Sequence, residues 1–285
     1  MTDFTPAESA ACGRLVELAL AEDLGPTGDR TSLATIPEEA TGRAVFVARS
    51  EGVLAGLPAV AQVAAAVDHR LSVEFLAADG DRLAPGTRVA VLAGPLRSLL
   101  AAERTALNFL QRLSGVASLT RKYVELSAGY PAKILDTRKT TPGWRLLEKY
   151  AVRAGGGTNH RIGLYDGVLI KDNHLAGLNG DVRGAVDFAR AANPGLPIEV
   201  EVDTLAQLDM ALAADADIVL LDNMTSDQMR EAVARRGSAK TLLEASGGVN
   251  LTTVRDIAAT GVDRISIGAL THSATALDIA LDYGT

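Results

Sequence analysis

Residues 198–222 read IEVEVDTLAQLDMALAADADIVLLD. Two short aliphatic runs, IEVEV and DIVLL, flank TLAQLDMALAA, whose apolar residues recur at helical spacing. A strand, a helix and a second strand predict a parallel pair, because a parallel connection needs a crossover long enough to hold a helix. The same alternation extends to both sides. KIL and GVLI precede it, TLLEA and RISI follow, and SDQMREAVARR supplies a further helix. Six clear strands, with one or two more hidden, predict a closed or nearly closed α/β barrel rather than an open sheet. No GxGxxG follows any of them, so a dinucleotide site has no support.

Before Pro131 the texture differs. Residues 8–24 read as a helix. GRAVFVARSEGVLAG and LSVEFLAADGDRLAPGTRVAVLAG alternate as strands broken by Asp-Gly and Pro-Gly turns, with the short helix PAVAQVAAAV between them. An antiparallel sheet with helices beside it is expected. PLRSLLAAERTALNFLQRLSGVASLTRKYVEL is helical for about thirty residues, with a break expected at Ser114-Gly115. The final LDIALDY reads as a helix that packs back on this first domain. The division is a first domain over 1–112, joined by 275–285, and an α/β barrel over 113–274.

The chain has 285 residues, 47% of them hydrophobic, and a formal net charge of −7. That composition supports a large core and argues against nonspecific attraction to nucleic acid or an anionic membrane. The single Cys12 excludes an intramolecular disulfide and a cysteine zinc site. No apolar run is long enough to span a bilayer, and MTDFTPAESA lacks a basic segment before an apolar one, so a cytoplasmic protein is expected.

Against the net negative charge, residues 138–171 hold seven Lys or Arg and two acids. Several of these cations fall where strands end. KIL runs into Asp136-Thr137-Arg138-Lys139 and GVLI into Lys171-Asp172-Asn173-His174. IEVEV carries Glu199 and Glu201, DIVLL ends in Asp222-Asn223, TLLEA in Ser246-Gly247-Gly248 and RISI in Gly268-Ala269. The C-terminal strand ends are the working face of a barrel, so the pattern points to one shared site. The glycines of the last two loops let a backbone approach an oxyanion closely, as at a phosphate site. Arg138, Lys139, Arg161 and Lys171 gather where a pocket would lie and call for a ligand with several negative groups. Lys149 and Arg153, four apart on a helix, read as a solvated face.

Several readings stay open at this level. Glu201 and Asp222 suit either Mg²⁺ with a phosphorylated substrate or ribose hydroxyls. Glu199 and Glu201 share a face at i, i+2 and could both simply pair with Lys171, and Glu199 receives no role. His160 is either an anion ligand or a hydrogen-bonded structural residue. The four histidines show no metal-ligand spacing, and Trp144 reads as packing.

The chain resembles the quinolinate phosphoribosyltransferases nearly end to end. The residues that carry the likeness are EDLGPTGDRTS, EGVLAGLPAV, AERTALNFLQRLSGVAS, DTRKTTPG, KYAVRAGGGTNHRIGLYDGVLIKDNH, EVEVDT, LLDN, EASGGVN and ISIGALTHS. Arg30 and Trp144 depart from the pattern at positions with no catalytic match. The resemblance implies transfer of a phosphoribosyl group from phosphoribosyl pyrophosphate to quinolinate, giving nicotinate mononucleotide, pyrophosphate and CO₂ in NAD biosynthesis. It also implies Mg²⁺ as cofactor, an α/β sandwich domain, and a seven-stranded, partly open TIM-like barrel. By the same resemblance Thr137 is a substrate-binding residue, and Arg138 and Arg161 meet the quinolinate carboxylates, with Arg104 from a neighbouring chain. Lys139, His160 and Lys171 add charge near pyrophosphate and ring, and Glu201 and Asp222 hold ribose or Mg²⁺. Ser246, Gly247 and Gly248, with Ile267, Gly268 and Ala269, cradle the 5′-phosphate. Lys139, Lys171, Glu201 and Asp222 are the implied catalytic set, in a homodimer with shared sites or a hexamer built from three dimers. The rivals are a paralogous phosphoribosyltransferase acting on another ring, a Schiff-base aldolase using Lys171, and a non-enzymatic anion-binding module.

Overall fold

In the computed structural model, which describes residues 3–284, the strands of the first stretch are β1 (Thr41–Ala48), β2 (Gly52–Val53), β3 (Ser72–Phe75), β4 (Arg82–Leu83) and β5 (Arg88–Pro95). There follow β6 (Lys133–Leu135), β7 (Val168–Ile170), β8 (Ile198–Val202), β9 (Ile218–Asp222), β10 (Leu242–Ser246), β11 (Arg264–Ser266) and β12 (Ile279–Tyr283).

One compact unit comprises residues up to Arg121, Thr140–Gly156, and Leu270 onward. Its sheet, ordered β12-β1-β5-β3, is antiparallel throughout. β1 takes a central place because Ala44, Val45, Phe46, Val47 and Ala48 are all buried. The terminal segment is β12 and not the expected helix. Ile279 and Leu281 are buried while Ala280 and Asp282 are partly exposed, and that period of two fits a strand.

The helix Leu96–Leu126 runs unbroken through the expected break. Ser114 turns its hydroxyl to the backbone of Ala55, accepting its N–H at 3.0 Å and donating to its carbonyl at 3.1 Å. A Cβ on Gly115 would stand 2.1 Å from the carbonyl oxygen of Thr275, so this glycine serves close approach and not termination.

The helix Arg145–Ala154 corrects a second expectation, since Lys149 is fully buried and Arg153 reaches Glu8 at 2.6 Å. Tyr150 donates to Asp79, and Glu148 pairs with Arg112. Trp144 stacks on Phe109 with ring centroids 4.8 Å apart, as a packing residue would. These contacts tie residues 140–156 to the first unit, whereas the sequence reading ran the barrel through them.

The second unit comprises Lys122–Lys139 and Gly157–Ala269. All its strand pairs are parallel, in the order β6-β11-β10-β9-β8-β7. From β7 to β11, sequence neighbours are sheet neighbours, and β6, the first strand, pairs with β11, the last. This is the cyclic order of a barrel, interrupted between β6 and β7. Beside β6, Thr158 forms a single parallel bridge with Leu135, its N–H donating to Ile134 at 2.8 Å. That bridge is a one-residue seventh member. Helices Val182–Ala192, Leu205–Ala213 and Ser226–Arg236 fill the crossovers. The last two begin with capping boxes, Thr204 with Gln207 and Thr225 with Gln228. Among the described residues no helix is long and apolar enough to cross a membrane.

Candidate active site

In a parallel sheet, residues in register share a face. Glu201, Leu220, Glu244 and Arg264 form one row across β8 to β11. Asp222 and Ser246 stand one row nearer the C-terminal strand ends, and Glu199 and Ile218 one row farther away. Leu169 is level with Glu199, so Lys171 falls at the height of Glu201. Above these rows opens a cavity of about 460 Å³.

Thr137, Arg138, Lys139, His160, Arg161, Lys171, Glu201, Asp222, Ser246, Gly247 and Gly248 line that cavity. All were singled out in the sequence. Ile267, Gly268, Ala269 and Arg104 do not line it. Ile267 is buried, its N–H donating to Leu135 at 2.9 Å, and Gly268 and Ala269 lead into the short helix Ala269–His272. Arg104 is exposed on the helix Leu96–Leu126 of the first unit. The sequence reading passed over Asn223, Glu244, Leu169, Leu220 and Ser266, which also line the cavity. Glu244 and Ser266 had a readable signal: each lies two residues from a position at or beyond its strand end, hence on the same face.

Local chemistry fixes the walls. Asp136, fully buried at the end of β6, accepts the His160 N–H at 2.9 Å and the Asn159 amide at 2.6 Å. Arg161 donates to the carbonyl of Gly167 at 2.9 Å. Its pKa is lowered by burial and then by the neighbouring Arg138 charge, while Glu199 and Asp166 act the other way. A second guanidinium this near to Arg161 favours an anion between the two. Lys171 is ion-paired with Glu201. Asp222 accepts from the Asn223 amide at 2.7 Å, and the Asn223 N–H donates to Ser246 at 2.9 Å. Gly247 adopts φ +93°, and a Cβ on it would stand 2.2 Å from Asn223 Oδ1. Only glycine fits there.

Below the cavity floor His160 meets two buried carboxylates, Nε2 lying 3.1 Å from Glu199 and 3.3 Å from Glu244. Arg264 lies 2.9 Å from the second oxygen of Glu244. Burial lowers the pKa of His160, but the bonds to Glu199 and Glu244 and their charges outweigh it and carry the pKa to about 9. Burial raises that of Glu199, with His160 opposing. These three residues form a metal-sized cluster among the described residues, with ligand atoms within 4.8 Å of one another. Arg264 at the same carboxylate makes it an ion-paired group and not a cation site.

Two family profiles cover most of the chain: the quinolinate phosphoribosyl transferase N-terminal domain matches residues 29–114 and the C-terminal domain residues 116–282. The chain belongs to the quinolinate phosphoribosyl transferase family. It is 45% identical to a probable nicotinate-nucleotide pyrophosphorylase (carboxylating) of Bacillus subtilis, over 92% of this chain and 89% of that protein. It is also 45% identical to the nicotinate-nucleotide pyrophosphorylase (carboxylating) of Mycobacterium leprae, covering 94% and 95%. The solved structure of the nicotinate-nucleotide pyrophosphorylase from Francisella tularensis superposes with a TM-score of 0.92 at 41% identity, covering 100% of both chains. These quinolinate phosphoribosyl transferase matches extend across both units, including the sheet with the cavity.

Outside the ion-paired His160 cluster, one pair of acids at the cavity has the donor chemistry of a cation site. Glu201 and Asp222 offer carboxylate oxygens at the cavity, the donor type of a hard divalent ion that keeps waters and substrate oxygens. They fit Mg²⁺, whereas the His160 cluster does not.

Proposed function

We propose that the cavity at the parallel strand ends transfers the phosphoribosyl group of phosphoribosyl pyrophosphate to quinolinate and then releases CO₂, leaving nicotinate mononucleotide for NAD biosynthesis. The observation that carries this reading is one cavity holding Arg138, Lys139, His160, Arg161 and Lys171 on one side and Glu201 and Asp222 on another. Quinolinate brings two adjacent carboxylates. Planar guanidiniums receive them bidentately, so Arg138 and Arg161 are assigned to them, with Thr137 beside. Lys139, His160 and Lys171 supply further positive charge towards ring and pyrophosphate. The 5′-phosphate is assigned to Ser246, Gly247 and Gly248, with Ile267, Gly268 and Ala269 extending the cradle.

The ring nitrogen attacks the anomeric carbon, and the bond to pyrophosphate breaks with its electron pair leaving on oxygen. Glu201 and Asp222 stand where positive charge grows on the ribose, and they would hold Mg²⁺ there. When bound, that ion would neutralise phosphate charge. The quaternised ring nitrogen then stabilises the electron pair left on the neighbouring carbon as CO₂ departs, and that carbon takes up a proton. No further cofactor is needed.

The ion pair of Lys171 with Glu201 is the arrangement of a charge-bearing lysine and not of a Schiff-base nucleophile. The test is release of pyrophosphate and CO₂ with quinolinate, repeated with nicotinate. Activity on nicotinate alone would overturn the reading.

We assign the protein to the cytoplasm, on its lone thiol, the buried Cys12. We also propose a homodimer with shared sites, or a hexamer of such dimers. The exposure of Arg104 in the family-matching AERT segment supports a role towards a second copy. Arg104→Ala and Lys171→Ala are each expected to be nearly inactive. Co-refolded, about half of the dimers mix, and one intact site in each restores about a quarter of wild-type pyrophosphate release. No recovery after verified mixing would remove Arg104 from the partner's site.

A further inference from the structure

We propose that Glu199 and Glu244 are positioning residues for quinolinate, acting through His160, whose ring they fix and whose Nε2 proton they hold. The proposal rests on the functional reading above and adds two residues to it.

The geometry is convergent. Glu199 comes from β8 and Glu244 from β10, with β9 between them, yet both carboxylates reach the same nitrogen, at 3.1 and 3.3 Å. Both are buried, Glu199 at 3% and Glu244 at 0% exposure, and the His160 side chain is 11% exposed. The rest of the residue is held as firmly. Its Nδ1 accepts the Arg161 backbone N–H at 2.8 Å, and its own backbone N–H donates to buried Asp136. The ring therefore has one position, with part of its surface on the cavity that also contains Arg138 and Arg161.

Charge explains why two carboxylates are present. The groups that face the ring are Glu199 from β8, Glu244 from β10, Asp136 after β6, and the following Arg161. Arg264 from β11 balances Glu244. Glu199 and Glu244 with Arg264 alone leave a buried excess of one negative charge, and the Nε2–H of His160 is the donor that both carboxylates face. Glu199 Oε1 is buried without a hydrogen-bond partner, which adds to the cost of leaving that charge unbalanced. The carboxylates thus hold the ring proton on Nε2 and leave Nδ1 to the Arg161 amide. A second cavity, of about 100 Å³, is lined by His160, Glu199 and Arg264 with the N-terminal strand-end residues Val168 and Ile218. His160 and Arg161 line both cavities, Glu244 only the first, and Glu199 and Arg264 only the second, so within this clamp Glu199 reaches the ring from the side away from the larger cavity.

The experiment uses the whole protein and four variants: Glu199→Gln, Glu244→Gln, His160→Asn, and Glu244→Gln with His160→Asn. Kinetics for quinolinate are followed against pH, and His160 is titrated by NMR. In each glutamine variant KM is expected to rise about tenfold or more at pH 8, with kcat changed less, as for loss of a charged hydrogen bond. The His160 midpoint, about 9 in the wild type, falls in both. Once His160 is asparagine, Glu244→Gln adds little, because the two act as one unit. Additive losses in that double variant would show that Glu244 acts elsewhere. A wild-type His160 titrating below its ordinary value of about 6.5 overturns the proposal even where a variant fails to fold. Absence of quinolinate turnover in the wild type defeats the functional reading instead, and the NMR titration still decides the clamp.

Discussion

Phe46 and Glu199 are both strand residues withdrawn from water, one in the antiparallel sheet of the first unit and one in the parallel sheet of the second. Around Phe46, the centre of β1 is apolar without exception, and the ion pairs of that sheet lie outside. Arg43 with Glu74 is one, at 3.9 Å with side chains 50% and 68% exposed. Around Glu199 the inner face carries Glu201, Glu244, Arg264 and Asp222. Burying an ion costs several kcal/mol unless it is paired. A sheet that only had to be stable would resemble the first. The second accepts the cost, offsets it with His160 and Arg264, and in return presents fixed charge to a cavity.

The contrast breaks if substitutions in the two sheets behave alike. Phe46→Ala removes a fully buried ring and is expected to cost about 3–5 kcal/mol of stability. Denaturant unfolding reads this, and kcat/KM per folded molecule should stay near wild type. A large fall in kcat/KM without loss of stability would mean that the first sheet is part of the chemistry. Arg138→Lys keeps the charge and loses the planar fork, so it should cost about 1.5–3 kcal/mol in kcat/KM for quinolinate while unfolding hardly changes. Near-normal kinetics would take Arg138 out of the site. The smallest effect belongs to Arg43→Ala. An exposed pair at 3.9 Å contributes at most about 1 kcal/mol, and a larger loss would show that the ion pairs outside the first sheet's apolar centre hold it together after all.

The sequence revealed both sheets and the strand-end site, because strand–helix alternation and polar residues after apolar runs are local patterns. What it concealed depends on register. Either Glu199 or Glu201 could have met Lys171 on spacing alone, and register decides between them, since β7 is aligned so that Leu169, and not Lys171, stands beside Glu199. Lys171 pairs with Glu201 one row higher, and Glu199 turns to His160. Glu244 lies two residues before Ser246 and so shares its inward face, a relation that becomes legible only once Ser246 is placed at the strand end. The solvated-face reading of Lys149 failed for a related reason. Helical spacing shows which residues share a face, but not that Arg112, Asp79 and Glu8 close over the neighbouring ones. β12 was mistaken for a helix over a stretch too short for either period to dominate.

The interruption between β6 and β7 has its own consequence. In a closed barrel the diameter is dictated by the hydrogen-bond ladder, so a wider mouth requires a different register everywhere. Here residues 159–167 span the opening, tethered by Asp136 to Asn159 and His160, by Arg161 to Gly167, and by Asp166 to the amides of Ile162 and Gly163. These are side-chain bonds, each contributing about 1 kcal/mol or somewhat more, and any one can be exchanged without disturbing a strand. The gap is therefore bridged by side-chain bonds in and beside residues 159–167, and its width is set apart from the ladder that runs from β7 to β11 and on to β6.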